Sequence, residues 1–117
     1  MIGTEIEKGK IAQARANVEE AGLGSYVEIK EGDAQETLRD PGGEIDLVLL
    51  DGWKYLYLPI IRILTPFLRP GAVVLADNIK TFPKALAPYV AYMQDSKNGY
   101  CSVTLPLGAG TEYSVRI

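Results

Sequence analysis

Residues 46–59 read DLVLLDGWKYLYLP, and the junction at Asp51 decides how the chain is to be built. Four apolar residues, 47–50, run unbroken into Asp51, Gly52, Trp53 and Lys54, after which the chain turns apolar again. A short apolar run bounded by turn residues predicts a strand over 45–50 buried on both faces, as in a parallel sheet. Residues 56–68 then predict a helix. Pro59 falls near its first turn, where a missing N–H costs little, and Pro66 near its end predicts a kink or early stop.

Working outward, residues 2–6 predict a strand. Ile11, Ala14, Val18 and Ala21 lie at three-to-four spacing, one face of a helix over 10–21, stopped by Gly22 and Gly24. Residues 26–30 alternate as a strand does, a short helix is expected around 37–39, and Pro41-Gly42-Gly43 reads as a loop. Downstream, Arg69-Pro70-Gly71 reads as a turn and 72–76 as a second buried strand ending in Asp77-Asn78. Residues 83–95 predict a helix with Leu86, Val90 and Met93 on one side and Pro88 as an irregularity. Strands over 100–105 and 112–117 are joined by a hairpin linker at 107–111. The order βαβαβαβα followed by ββ implies an α/β fold, a parallel sheet between helices with an antiparallel closing strand.

The bulk numbers suit one domain over 1–117. The apolar share is 47% and the charged share 23%, enough for a core. A net charge of −3 argues against a nucleic-acid backbone as partner. Cys101 is the only cysteine, so a reducing, cytoplasmic setting is the default, and the absence of histidine removes His-based triads and His metal ligands. No stretch is apolar enough to predict a membrane span, and the N-terminus has no signal-peptide pattern.

In open α/β sheets, ligands bind outside the carboxyl ends of the strands. The residues expected there are Glu5, Asp33, Asp51, Asp77 and Asn78. Asp51, Asp77 and Asn78 offer two carboxylates and one amide oxygen, a set that suits Mg²⁺, Mn²⁺ or Ca²⁺ rather than zinc. Lys54 opens the next helix and reaches the same rim, where a nearby dication would disfavour its charged form and free the amine for general-base work. Plainer readings stand beside these: Asp33 as a helix cap, Lys54 as a surface lysine, and Trp53 as a cover for the helix–sheet seam.

The segments LLDGWKYLYLP (49–59) and LRPGAVVLADN (68–78), and less specifically GTEIEKGKIAQARAN (3–17) and EGDAQETL (31–38), resemble the class I S-adenosylmethionine-dependent methyltransferases, within them the cation-dependent catechol O-methyltransferase type. The resemblance implies a Rossmann-like methyltransferase sheet, mostly parallel with a C-terminal antiparallel hairpin. It implies transfer of a methyl group from S-adenosylmethionine to a hydroxyl of a small aromatic acceptor with Mg²⁺ assistance. Glu5 then looks like the acid that binds the cofactor's ribose, and Asp33, Ala34 and Gln35 resemble the adenine-contacting loop. Trp53 and Asp51 flank the adenosine, while Asp51, Asp77 and Asn78 look like the Mg²⁺ ligands and Lys54 like the general base.

The resemblance starts at the family's second strand. The first strand and its glycine-rich turn have no counterpart in these residues, so the sheet is expected to close the gap, recruit a strand from another chain, or be a fragment, and cofactor affinity in the isolated chain is expected to be weak or absent. A homodimer through the orphaned edge follows from the second course. Gly99 stands where the aromatic-diol enzymes often carry an acidic substrate contact, which sets catechol itself apart from the implied acceptor class. The alternative is a non-catalytic methyltransferase-like module acting in dimerisation or assembly. DLVLLD also resembles the phospho-acceptor strand of receiver domains, although a terminal hairpin does not belong there. A nicotinamide dehydrogenase would share the ribose-binding acid but gives no reason for Asp77-Asn78.

Overall fold

The structure, a computed structural model, describes all of residues 1–117. The chain forms two compact units, Met1–Gly42 and Gly43–Ile117.

In the first unit, β1 (Ile2–Glu5) and β2 (Glu28–Glu31) form a two-stranded parallel sheet, in register from Ile2↔Glu28 to Glu5↔Glu31. The crossover is α1 (Lys8–Glu20). Of the predicted apolar face only Ile11 is fully buried, while Ala14 and Val18 are half-buried and Ala21 is exposed. The helix gives way at Gly22, whose φ of 71° suits glycine. β2 starts two residues later than predicted because Tyr26 and Val27 spend their N–H groups on Leu23 O in a turn. The short helix lies at α2 (Ala34–Thr37), not 37–39, because the Asp33 carboxylate caps it by accepting from Gln35 N at 2.9 Å.

In the second unit, β3 (Ile45–Leu50), β4 (Leu68–Ala76), β5 (Tyr100–Leu105) and β6 (Thr111–Arg116) form a sheet in the order β3-β4-β6-β5. β3 and β4 are parallel, and β6 runs antiparallel between β4 and β5, as the hairpin pattern implies. The predicted helix over 56–68 is corrected to three pieces. A 3₁₀ turn, Lys54–Leu56, leads into α3 (Tyr57–Leu64), and a second 3₁₀ turn, Thr65–Phe67, takes Pro66 near its start, where no N–H is needed. Leu68 already belongs to β4, paired with Ile45. The expected turn at Arg69-Pro70-Gly71 is instead an irregularity inside β4: pairing jumps from Ile45↔Leu68 to Leu47↔Val73, and Gly71 takes φ 84°. α4 (Pro83–Gln94) runs on through Pro88.

One face of this sheet carries Val48, Leu50, Ala72, Val74 and Ala76, all buried, together with Tyr100, Glu112 and Ser114. Tyr57, Ile60, Ile61 and Leu64 of α3 and Leu86, Tyr89 and Met93 of α4 complete that core. The prediction that β3 is buried on both faces is corrected by the opposite side, where Leu47 is 61% and Leu49 68% exposed. An apolar run states what its residues prefer, and here only alternate ones, Val48 and Leu50, obtain cover. The strands form two sheets, β1-β2 in the first unit and β3-β4-β6-β5 in the second.

Candidate active site

Because β3 and β4 are parallel, with Leu50 opposite Ala76, their carboxyl ends deliver Asp51 and Asp77 side by side. Asp77 N donates to Leu50 O at 3.0 Å, extending the pairing one residue onto the rim. Asn78 follows with φ 68°, a left-handed conformation that asparagine tolerates better than most residues. That turn sends its Nδ2 to Asp51 Oδ1 at 2.8 Å, while its own N–H donates to Asp77 Oδ1 at 2.7 Å. The β5–β6 loop pins the segment from behind: Ile79 N donates to Gly110 O at 3.1 Å and Lys80 N to Ala109 O at 2.8 Å.

Lys54 begins the 3₁₀ turn, where residues three apart nearly eclipse, so it stands over Tyr57. Its Nζ donates to Gly52 O at 3.0 Å and to Tyr57 Oη at 3.1 Å, and lies 3.9 Å from Asp51 Oδ1. It also sits 5.2 Å from the Tyr57 ring centroid and 5.5 Å from that of Phe82, within cation–π range. At 18% exposure the side chain is not an ordinary surface lysine. Trp53 is 67% exposed, which removes the seam-covering reading, and Tyr55 and Phe82 are exposed with it. The rim around Lys54 thus carries open aromatic surface.

Four of the residues singled out from sequence lie in the first unit. Glu5 ends β1, and its Oε1 accepts from Ile6 N at 2.9 Å and Glu7 N at 3.1 Å. Those amides, Glu7's above all, hold its carboxyl below the usual range. Asp33 caps α2, and Ala34 and Gln35 form its first turn. In the second unit the structure brings Lys54 and Asn78 each to Asp51 Oδ1, with Asp77 adjoining. Sequence reasoning missed Tyr57, which looks like one more apolar helix residue; the available signal was a tyrosine three positions after the lysine.

The donor set fits a small hard cation. No cluster of three acidic, Cys or His side chains is present; the set is two carboxylates and one amide. Asp51 uses Oδ1 and Asp77 uses Oδ1 in the contacts above, which leaves one oxygen of each carboxylate without a protein partner. A half-turn of the Asn78 amide would present Oδ1 in place of Nδ2 to the Asp51 side. All three are oxygen donors of the kind that Mg²⁺, Mn²⁺ and Ca²⁺ take.

The comparisons with known proteins bear on the same residues. The family model described as a methyltransferase domain matches residues 2–79. A catechol O-methyltransferase of Niastella koreensis is 30% identical over 83 residues, which cover 68% of this chain and 38% of that protein. The O-methyltransferase from Bacillus cereus in complex with SAH superposes with a TM-score of 0.87 at 18% identity, over 99% of this chain and 62% of that one. TomG from Streptomyces achromogenes, an O-methyltransferase involved in tomaymycin synthesis and solved with SAM, gives 0.82 at 22% identity, over 98% and 60%. The chain therefore spans about two fifths of the curated relative and about three fifths of these structures. The structural likenesses establish a Rossmann-like methyltransferase fold, and the match over residues 2–79 establishes that the chain belongs to the methyltransferase domain family.

Proposed function

We propose that this chain carries the base and the acceptor-side rim of an S-adenosylmethionine-dependent O-methyltransferase acting on a hydroxyl of a small aromatic acceptor. The observation that carries the reading is the placement of Lys54 Nζ, 3.9 Å from an Asp51 carboxylate that itself contacts Asn78. A proton acceptor and a hard-oxygen donor set share one rim.

In this reading S-adenosylmethionine, when bound, supplies a methyl group on a positively charged sulfur, and Mg²⁺, Mn²⁺ or Ca²⁺, when bound, supplies positive charge beside the acceptor oxygen. The chain's own residues do the rest. Asp51, Asp77 and Asn78 hold the cation. Lys54 Nζ takes the proton from the acceptor hydroxyl. The exposed rings of Tyr55 and Phe82 orient a flat acceptor, and Trp53 and Asp51 flank the adenosine. Within the first unit, the resemblance gives Glu5 the ribose role and Asp33, Ala34 and Gln35 the adenine role. The default cytoplasmic setting follows from a lone, free Cys101. No helix is long and apolar enough to cross a membrane.

The test is transfer of label from tritiated S-adenosylmethionine, at saturating concentration, to a panel of small aromatic hydroxyl compounds, with Mg²⁺ or with EDTA. Transfer to at least one is expected with Mg²⁺, falling to background with EDTA and in Lys54→Met. Equal transfer in Lys54→Met removes the base, and equal transfer in EDTA removes the cation.

A second reading is favoured by the bare side of the second sheet. Leu47, Leu49 and Val103 are each more than half exposed on it, and β3 leaves one edge unpaired. Such a surface suits a non-catalytic module that self-associates as a homodimer. Titration calorimetry with S-adenosylmethionine separates the two: no heat with or without Mg²⁺, alongside no transfer, leaves the module reading standing.

A further inference from the structure

Tyr57 is the rim residue that the reaction above does not use. It is 1% exposed, its ring edge-on to Tyr89 with centroids 5.6 Å apart. Its hydroxyl nonetheless meets two polar partners, Asp77 O at 3.1 Å and Lys54 Nζ at 3.1 Å. A carbonyl can only accept, so the phenol proton goes to Asp77 O and the phenol oxygen accepts from Lys54. Lys54 Nζ has one further acceptor, Gly52 O at 3.0 Å.

We propose that Tyr57 is a positioning residue that aims Lys54: its hydroxyl and Gly52 O take two of the three free tetrahedral positions on Nζ, so the third points along the one direction left. The proposal rests on the methyl-transfer reading, in which Lys54 is the base. The phenol oxygen can only accept here, because its own proton is committed to Asp77 O. The same hydroxyl joins the base to the tip of β4, where Asp77 and Asn78 sit, so base and candidate cation ligands keep a fixed relation. Tyr57→Phe retains the ring packed on Tyr89 and removes both links.

Two measurements test this. In the methyl-transfer assay, Tyr57→Phe is expected to lower kcat about tenfold, the scale of a misaligned reacting group, with both KM values unchanged; a merely structural role would not single out kcat. Independently of activity, 3-fluorotyrosine placed singly at position 57 gives one fluorine resonance. Lys54→Met is expected to move that resonance, because the hydroxyl loses its donor. An unmoved resonance overturns the proposal whatever the activity, and so does a moved resonance with wild-type kcat in Tyr57→Phe. If the wild-type chain transfers no methyl group, the methyl-transfer reading falls by itself, and the resonance still decides whether Tyr57 holds Lys54.

Discussion

Asn78 donates its side-chain amide to Asp51 Oδ1 at 2.8 Å, although 27 residues separate them in sequence. The contact exists because two adjacent parallel strands end together and because Asn78 adopts a left-handed φ of 68°. It makes the metal proposal testable without disturbing the backbone. Asn78→Gly keeps the left-handed turn and removes the amide. Its thermal midpoint is expected to stay near that of the wild type, while Mn²⁺ affinity, read by paramagnetic resonance titration, falls at least about tenfold. Unchanged Mn²⁺ affinity would strike Asn78 from the ligand set.

The hairpin loop behind the rim depends on Gly110. Its φ is 84°, and a Cβ there would sit 2.9 Å from Lys80 N and 2.6 Å from Lys80 Cγ. The backbone contact cannot yield cheaply, because Ile79 and Lys80 are both hydrogen-bonded to this loop. Gly110→Ala is expected to cost about 1–3 kcal/mol in urea unfolding. It should also speed amide exchange at Ile79 and Lys80, whereas exchange in α1 should not change.

What the sequence disclosed, and what it did not, divides along physical lines. The parallel order of β3 and β4 was legible because both are apolar runs stopped by polar rim residues, and parallel neighbours bring such stops to one side. Asp51, Lys54, Asp77 and Asn78 were legible for the same reason. The bare side of β3 was not, since Leu47 and Leu49 are as apolar as Val48 and Leu50 and nothing local says which pair obtains cover. Arg69-Pro70-Gly71 has turn chemistry and was read as a turn; pairing of Leu68 with Ile45 overrides it and stretches β4 to nine residues. Tyr57 escaped because its role lies in what its hydroxyl meets, Asp77 O twenty positions on, and no periodicity encodes that. Asp33 was legible as a cap from residue type alone, whereas Glu5 shows locally only the amides of Ile6 and Glu7.

Tyr89 gives a pH dependence with a definite sign. It is 1% exposed, close to Ser114 and Glu112, and its hydroxyl has no hydrogen-bond partner. Burial first, and the Glu112 carboxylate second, push its phenol well above the usual tyrosine value of 10.0. A folded-state pKa above the unfolded one means that the contribution is fully present below about pH 10 and is lost as pH rises beyond it, because the unfolded chain ionises first. Tyr89→Phe is therefore expected to flatten the loss of stability above about pH 10. Near neutral pH the change should be neutral or stabilising, since it removes an unpaired buried hydroxyl. Thermal midpoints at pH 7 and above pH 10 check both limbs; a large loss at pH 7 would mean that the hydroxyl has a partner after all.

Glu112 is the polar centre of the same core. It is fully buried, and its carboxylate accepts from Gln94 Nε2 at 2.9 Å, from Ser102 Oγ at 2.6 Å and from Thr104 Oγ1. These donors come from α4 and β5, so one side chain of β6 holds the helix and its neighbouring strand together. Glu112→Ala removes the acceptor the three donors share, leaving Gln94 Nε2 with Thr104 Oγ1 at 3.3 Å and Ser102 Oγ with Tyr113 O and Ser114 Oγ, and is expected to cost about 1–3 kcal/mol in urea unfolding. Glu112→Gln keeps one acceptor oxygen and should cost less. Equal losses in the two variants would place the stability in packing rather than in the donors.

The uncovered side of the second sheet yields the last prediction. Leu47, at 61% exposure, Leu49 at 68% and Val103 at 51% share it with exposed Cys101. Cross-strand pairing aligns Cys101 and Val103 with Val115 and Tyr113, and these in turn with Val73 and Leu75, so the apolar residues are contiguous across four strands. A face of this kind presented to water favours burial against a like face, because no charge on it opposes a second copy. The wild-type chain is expected to sediment as a dimer. Leu49→Lys puts an ammonium in the middle of the face while disturbing nothing buried, so it should shift the chain to monomer and change its own unfolding free energy by less than about 0.5 kcal/mol. Sedimentation velocity decides: a monomeric wild type, or a Leu49→Lys variant as dimeric as its parent, would remove this face as the site of self-association.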